Sequence, residues 1–410
     1  MSFFGLKISS DRYGVVIDIG SGSVLASIVH SNSKLANPTI VWSHREHAPL
    51  RNIDSLEQSS KAVLTSLVNV SMMLDAEGRK VLYDYDSSAK LTELQCAISA
   101  PWSYTVTKTI NYNQENDFTI TENLMGDLMI AVQEKITHEL NENEEVNNLG
   151  LEVIVQSTME ILSNGYRVKN PEGERAKQFS LSYASAVAQK YLVNAIDEMW
   201  SKLFVGTINK KLSFIMVLYN ITREILPNSY DVCLVDITYE ATEIGIVRDG
   251  SLQYCTHTPF GIFSLTREIS AITGVPLHEA FGYLHSDTPY SFMKALTESK
   301  KMEVEKVFDA YIEKVSNLFH ETGDDLSIPK KISLHTDLNS EPIFLDLIEK
   351  AAKRNLKTNP LITPISREIV RKFYAPTTNT SPINIPTDTA LLLSAQFFHK
   401  PNPEQTYEYK

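Results

Sequence analysis

Cysteine is scarce: Cys96, Cys233 and Cys255 are the three in 410 residues, each in or beside an apolar, strand-like run. They show no CxxC and no His-paired spacing, so neither a disulfide framework nor a cysteine-based metal site is expected; buried thiols in a reducing, cytoplasmic compartment are. Positive charge is also short, with 38 Lys and Arg against 50 Asp and Glu, a net charge of −12 and no long basic run. Extended contact with nucleic acid, whose phosphates call for clustered cations, is thereby disfavoured, as is direct contact with anionic lipid. No apolar stretch approaches the roughly 20 residues that cross a bilayer, and the first residues lack the apolar core of a secretory signal. The ten histidines contain no HExxH or comparable metal spacing.

What remains is globular in texture, 43% hydrophobic and 21% charged, and long enough for two or three domains around a large core. The opening MSFFGLKI, with Phe3, Phe4, Leu6 and Ile8, reads either as a first strand or as a short docking segment. Next, in VVIDIGSGSVLASIV, residues 15–29, apolar runs flank a Gly-Ser-Gly turn. A plain β-hairpin accounts for it. A sharper reading is also open: Gly20 and Gly22 carry no side chain, so backbone N–H groups there can approach an anion, while Asp18 at the strand end can hold the water shell of Mg²⁺.

Strands and helices alternate from there. NPTIVWSHREHAP adds a strand, and SLEQSSKAVLTSLVNVSMML has apolar spacing near 3.6 and reads as a helix. The texture changes at LQCAISAPWSYTVTKTINY, where two β-rich runs flank Pro101, and Trp102 beside it is either an anchor for a partner or a buried aromatic. Thr119-x-x-Glu122 predicts a capping box for a helix to about Glu139. Tight turns are expected at Asn164-Gly165 and at Asn170-Pro171-Glu172-Gly173. FSLSYASAVAQKYLVNAIDEMWSKLF then supplies a strand and a helix, so residues 94–202 read as an α+β subdomain inserted into an α/β protein.

The pattern then repeats. YDVCLVDITYEATEIGIVRDGSLQYCTHTPFG again runs strand, Asp, turn, strand, and continues through Asp249-Gly250 into a third strand. Two Asp-ended hairpins in two α/β halves are what a nucleotide cleft requires, because each can clasp phosphates from one side with a metal between the carboxylates. Further on, Val304, Val307, Phe308, Tyr311, Val315 and Leu318 form a stripe at helical spacing, which is ordinary core burial.

In their order and spacing these segments resemble the actin-like ATPase superfamily, and within it the branch that contains the cell-division protein FtsA and the type IV pilus protein PilM. VVIDIGSGSV is similar to the family's first phosphate motif and VCLVDITYEATEIGIVRDG to its second. TPFGIFSLTREIS resembles the segment that follows, SNGYRVKNPEG part of an inserted subdomain that contacts neighbours or partners, and TDTALLLSAQFF the closing helix that returns to the first half. The resemblance implies a ribonuclease H-like, duplicated α/β fold around a cleft. Its parts would be a first half over residues 1–93, the inserted subdomain over 94–202, a second half over 203–385, the closing helix over 386–400 and a flexible tail over 401–410. It further implies ATP and Mg²⁺ as cofactors, with Gly20, Ser21, Gly22 and Ser23 on one side of the phosphates and Thr242 on the other. Lys301 and Glu305 would approach the ribose, and Asp18 and Asp236 would be the catalytic groups that hold Mg²⁺ through bound water.

Where the family reads Asp-x-Gly-Gly-Gly-Thr, however, this chain has Asp236, Ile237, Thr238, Tyr239, Glu240, Ala241 and Thr242. Side chains at the former glycines block backbone approach, and Glu240 is expected to add a repulsion on the order of 4 kcal/mol at about 4 Å from a phosphate charge. A Gly-rich turn against the adenosine is replaced by His335, Thr336, Asp337 and Leu338. Glu243 reads as a solvent-facing strand residue. Two functions follow: a cytoplasmic scaffold that recruits or links a membrane-associated division or pilus assembly through the inserted subdomain, with nucleotide binding weak or absent, or a working Mg-ATP-dependent ATPase that polymerises into filaments. The scaffold is favoured, with at most weak ATPase activity, because turnover requires phosphates and water held in line. HKPNPEQTYEYK offers no apolar face, so membrane contact is expected through a partner rather than directly.

Overall fold

The computed structural model describes residues 11–48, 55–142, 150–226, 230–321, 328–337, 341–356, 358–365, 388–400 and 407–409. The MSFFGLKI segment, with Phe3, Phe4, Leu6 and Ile8, and Leu338 lie outside them.

Strand β1 (Asp11–Ile19) turns into antiparallel β2 (Ser23–Asn32), and β3 (Thr39–His47) adds to β2. The unbroken apolar run of β1 arises because both its faces are covered. Val15, Ile17 and Ile19 enter the main core, whereas Val16 packs against Ala395 and Phe398. Helix α1 (Leu56–Met73) starts at Ser55, whose hydroxyl accepts from the Gln58 N–H, and runs through one π-turn over Leu74–Gly78 into α2 (Arg79–Tyr85). Strand β4 (Leu91–Ile98) then lies parallel to β1.

A separate antiparallel sheet follows, built from β5 (Ser103–Thr119), β6 (Leu151–Ser163), the short β7 (Tyr166–Arg167) and β8 (Arg175–Gln189). The turn between β6 and β7 has Asn164 and Gly165 at φ 49° and 82°, the left-handed pair that a two-residue hairpin favours. Helix α3 (Glu122–Glu142) covers one face, seating Leu128, Val132 and Ile136 against Phe179, Leu181 and Tyr183. Its cap is Thr121, whose hydroxyl accepts from the Leu124 N–H, and not Thr119, because β5 holds Thr119 in extended pairing.

The chain returns through α4 (Lys190–Leu203) to β9 (Ile208–Ser213), which pairs with β4 and completes a sheet of order β3-β2-β1-β4-β9. Helix α5 (Phe214–Ile225) is buried from Phe214 to Thr222 and shares one core with both halves, since Val232, Leu234, Val247 and Leu252 pack in the same cluster. The second half repeats the first. Strands β10 (Val232–Ile237), β11 (Thr242–Arg248), β12 (Ser251–Thr258), β13 (Lys331–Thr336) and β14 (Leu361–Pro364) form a sheet of order β12-β11-β10-β13-β14, again an antiparallel meander followed by two parallel strands. Helices α6 (Ile262–Thr273), α7 (Leu277–Leu284), α8 (Glu298–Glu321) and α9 (Glu341–Asn355) pack on it. Val304, Phe308, Tyr311, Val315 and Leu318 of α8 are buried there, and Val307 is partly buried.

Helix α10 (Thr389–His399) goes back to β1, β2 and α5. Two boundaries differ from the sequence reading. Strand β4 and α4, inside residues 94–202, belong to the first half, and the inserted sheet occupies only residues 103–189; its ends meet, because the Gln189 N–H bonds the Trp102 carbonyl at 3.0 Å. The tail is not free either. Residues 407–409 form β15, antiparallel to Val155–Ser157 of β6.

Candidate functional site

Each hairpin carries an aspartate one residue before the end of its first strand, and Asp18 and Asp236 both lie near enough to Asp337 to act on its charge. Between the halves lies a cavity of about 260 Å³ whose lining includes Ser23, Arg45, His47, Tyr239, His335 and Asp337. Arg45 organises its first-half wall, donating to Asp18 at 2.8 Å, to both oxygens of Asp388 at 2.5 and 3.0 Å and to Ser23 Oγ at 2.6 Å. Asp388 is also the N-cap of α10, accepting from the Leu391 N–H at 3.0 Å. On the other wall stands His335, whose Nδ1 meets the fully buried Asp236 behind it at 2.7 Å.

Burial and charge pull these groups in different directions. Burial raises the Asp18 carboxyl despite the opposing pull of Arg45. For Asp388, burial also acts upward, but the Arg45 charge and hydrogen bonds prevail and hold it below its usual value. For Asp337, burial together with the Asp236 charge outweighs the opposing pull of His335 and Arg45 and pushes it up to about 8. Among the described residues no group of three or more His, Cys, Asp or Glu is arranged to hold a metal ion.

The first turn does not stand open. Gly20 N–H bonds back to Ser23 O at 3.0 Å, Trp102 Nε1 donates to Gly20 O at 3.2 Å, and Ser21 Oγ donates to Thr238 Oγ1 at 2.8 Å while accepting the Glu240 N–H at 2.8 Å. Trp102 is therefore a buried brace of the turn. Above Gly22 lies the ring of Tyr239: a Cβ at Gly22 would stand 2.5 Å from Tyr239 Cγ. That ring is held edge-on by Phe263, centroids 4.5 Å apart, and stacked on Phe281 at 5.8 Å. A triphosphate against residues 20–23 would have to occupy the volume of this ring. The N-terminal donors of α6, the kind of group that meets phosphate at a helix start, are also engaged, with Ile262 N–H on Thr238 O at 3.0 Å and Phe263 N–H on Tyr239 O at 2.6 Å.

Glu240 does not face the cavity with a free charge, as its sequence position implies. Its carboxylate takes both Arg267 nitrogens at 3.0 and 2.7 Å and the Ser59 hydroxyl at 2.6 Å, linking α6 of one half to α1 of the other. The obstacle is the ring rather than the charge. Glu243 is likewise not solvent-facing: it is 1% exposed, opposite Asp236 in the ladder, and burial plus the Asp236 charge raise its carboxyl well above the ordinary range. Among the described residues, both of its oxygens lack a hydrogen-bond partner.

The remaining candidates scatter. Thr242 is buried and engaged with Phe260 O and Tyr311 OH, both at 2.9 Å. Lys301 and Glu305 line a separate groove of about 470 Å³ with Tyr290, Phe308 and Lys350, and share no lining residue with the cavity between the halves. Arg45 and Asp388 escaped the sequence reading. The only signal for Asp388 was an acidic residue immediately before the helical run TALLL; Arg45, in SHREH, reads like any exposed strand cation.

No family model and no curated protein matches the chain. Among solved structures it is similar to the PilM–PilN type IV pilus biogenesis complex, with 13% identity over 95% of this chain and 99% of that one at a TM-score of 0.57. It is also similar to the ethanolamine utilization protein EutJ from Carboxydothermus hydrogenoformans, with 11% identity, 95% and 89% coverage and a TM-score of 0.44. A Bacteroides thetaiotaomicron protein with an actin-like ATPase fold gives 10% identity, 88% and 94% coverage and a TM-score of 0.40. The chain has the actin-like ATPase fold, with an extra sheet carried on its first half.

Proposed function

We propose that the chain uses its actin-like fold as a scaffold, with a nucleotide site that has become a closed joint, and that it links a membrane-associated division or pilus assembly through the inserted sheet. One observation carries this reading: the Tyr239 ring sits on Gly22 where a phosphate chain would lie. The hydrogen bonds of Ser21, Thr238 and Glu240 across the same gap support it, since a cleft bonded to itself has no room to position a phosphate and an attacking water. ATP and Mg²⁺ are therefore bound weakly or not at all, and no reaction step is assigned to Asp18 or Asp236.

The inserted sheet is the natural place for a protein partner because it is additional to the two repeated sheets of the fold. No described helix is long and apolar enough to cross a membrane, so the partner would carry the membrane contact. The PilM–PilN complex, on the same fold, is an assembly with a second protein. Calorimetric titration with Mg-ATP tests the reading: no saturable binding is expected below about 1 mM, and a micromolar dissociation constant would overturn it, because it corresponds to about 8 kcal/mol that a filled site cannot supply.

A further inference from the structure

Strand β6 bounds the inserted sheet. Among the described residues its outer side is paired only by β7, at Leu162 and Ser163, and by β15, at Val155, Gln156 and Ser157. An open strand edge presents unpaired N–H and C=O groups and accepts whatever strand reaches it. Along β6, residues 154–157 and Ser163 are buried, with Ile154 and Val155 in the main core, while residues 151–153 and 158–162 are half-buried. β15 also touches β9, the outermost strand of the first sheet, where Ile208 is 60% exposed just after Val205 at 81%. Three residues thus lie across two sheet edges at once.

We propose that Tyr407–Tyr409 are an edge guard, a strand held in cis that closes the β6 edge against pairing with a second copy of this chain. Recognition is by main-chain hydrogen bonds, as in strand addition generally. Six residues separate Lys400, just past α10, from Tyr407, and a connection this short sets an effective concentration on the order of millimolar. A strand from another molecule at about 1 μM would then require a dissociation constant roughly a thousand-fold lower than that of the cis strand to displace it. The guard would operate whether or not the inserted sheet is where a partner docks.

The test compares the full chain with one lacking residues 401–410. Hydrogen exchange at Val155–Ser157 is expected to be at least tenfold faster without the segment, and sedimentation should reveal concentration-dependent association of the shortened chain only. A peptide of residues 401–410 should reverse both effects, and the same peptide with Tyr407→Pro, Glu408→Pro and Tyr409→Pro should reverse neither, because proline donates no strand hydrogen bond. Unchanged exchange at β6, a shortened chain that stays monomeric at all concentrations, or equal rescue by the proline peptide would overturn the proposal. None of these readouts depends on nucleotide or on a partner.

Discussion

If Gly22 is glycine to admit the Tyr239 ring, the two positions are coupled, and the coupling has a calculable sign. Gly22→Ala in the native background puts a Cβ 2.5 Å from Tyr239 Cγ and 2.7 Å from Cδ1, so either the ring or the turn moves. Overpacking of this kind costs about 1–3 kcal/mol. Tyr239→Ala removes a ring that is 2% exposed and wedged against Phe263 and Phe281, a loss of about 3–5 kcal/mol by comparison with other buried aromatics. In the double variant the ring contacts are gone and only the Cβ of residue 239, 2.9 Å away, remains, so Gly22→Ala should cost less there than in the native background, leaving a coupling of about 0.5–2 kcal/mol, within the range for residues in contact. Urea unfolding of the four proteins at one pH, read from midpoints and slopes, supplies the cycle. Strict additivity would refute the argument, because a glycine kept to admit a phosphate predicts a Gly22→Ala cost independent of residue 239.

Three more expectations rest on the same geometry. Glu240→Ala should lower stability by about 1–3 kcal/mol by stripping Arg267 and Ser59 of their shared acceptor, with Glu240→Gln recovering part of the loss in urea titrations; equal losses would show that hydrogen bonding contributes nothing there. Because Asp337 is pushed up to about 8, it stays protonated in the fold while ionising in the unfolded chain, so it costs stability progressively from about pH 4 to pH 8. Asp337→Asn should therefore gain on the native protein as pH rises through that window, and a difference that is flat with pH would count against it. Excising residues 103–188 with a short glycine linker should leave a cooperative thermal transition by circular dichroism at a lower midpoint, since Trp102 and Gln189 are already bonded but Ile154, Val155 and Ala186 leave the shared core. Excising residues 94–202 should abolish it, because β4 is lost.

The repeat was legible because each hairpin is a local object: apolar runs around Gly20-Ser21-Gly22 and around Thr238-Tyr239-Glu240 define both strands without reference to anything distant. What those turns touch was not. The Tyr239–Gly22 contact joins positions 217 residues apart, and glycine in a turn signals that something comes close without saying what. Loss of the second set of glycines was visible and pointed to a weakened site, but it suggested repulsion from Glu240, whose partners Arg267 and Ser59 come from two other helices. Glu243 misled through its residue type. It stands in ATEIGIV before the apolar run Ile244–Val247, the mark of a strand covered on both faces, and that pattern outweighed the usual preference of a glutamate for water. The inserted sheet was placed too early because Leu91–Ile98 and Ser103–Thr119 have the same β-rich texture, and only pairing with Asp11–Ile19 assigns the first of them to the other sheet.

The inserted sheet is fastened at more than its two chain ends. Thr107 donates to the Gln253 carbonyl, Ser251 Oγ donates to Met159 O at 3.3 Å, and Arg167 Nη2 reaches Ser251 Oγ at 3.1 Å, all on β12 or its start in the second half. With the ends anchored at Trp102 and Gln189 in the first half, a pull on that sheet reaches both halves at once, and the bonds resist in parallel rather than opening one after another. A tug from outside would thus be shared between the two halves instead of being borne by the first alone.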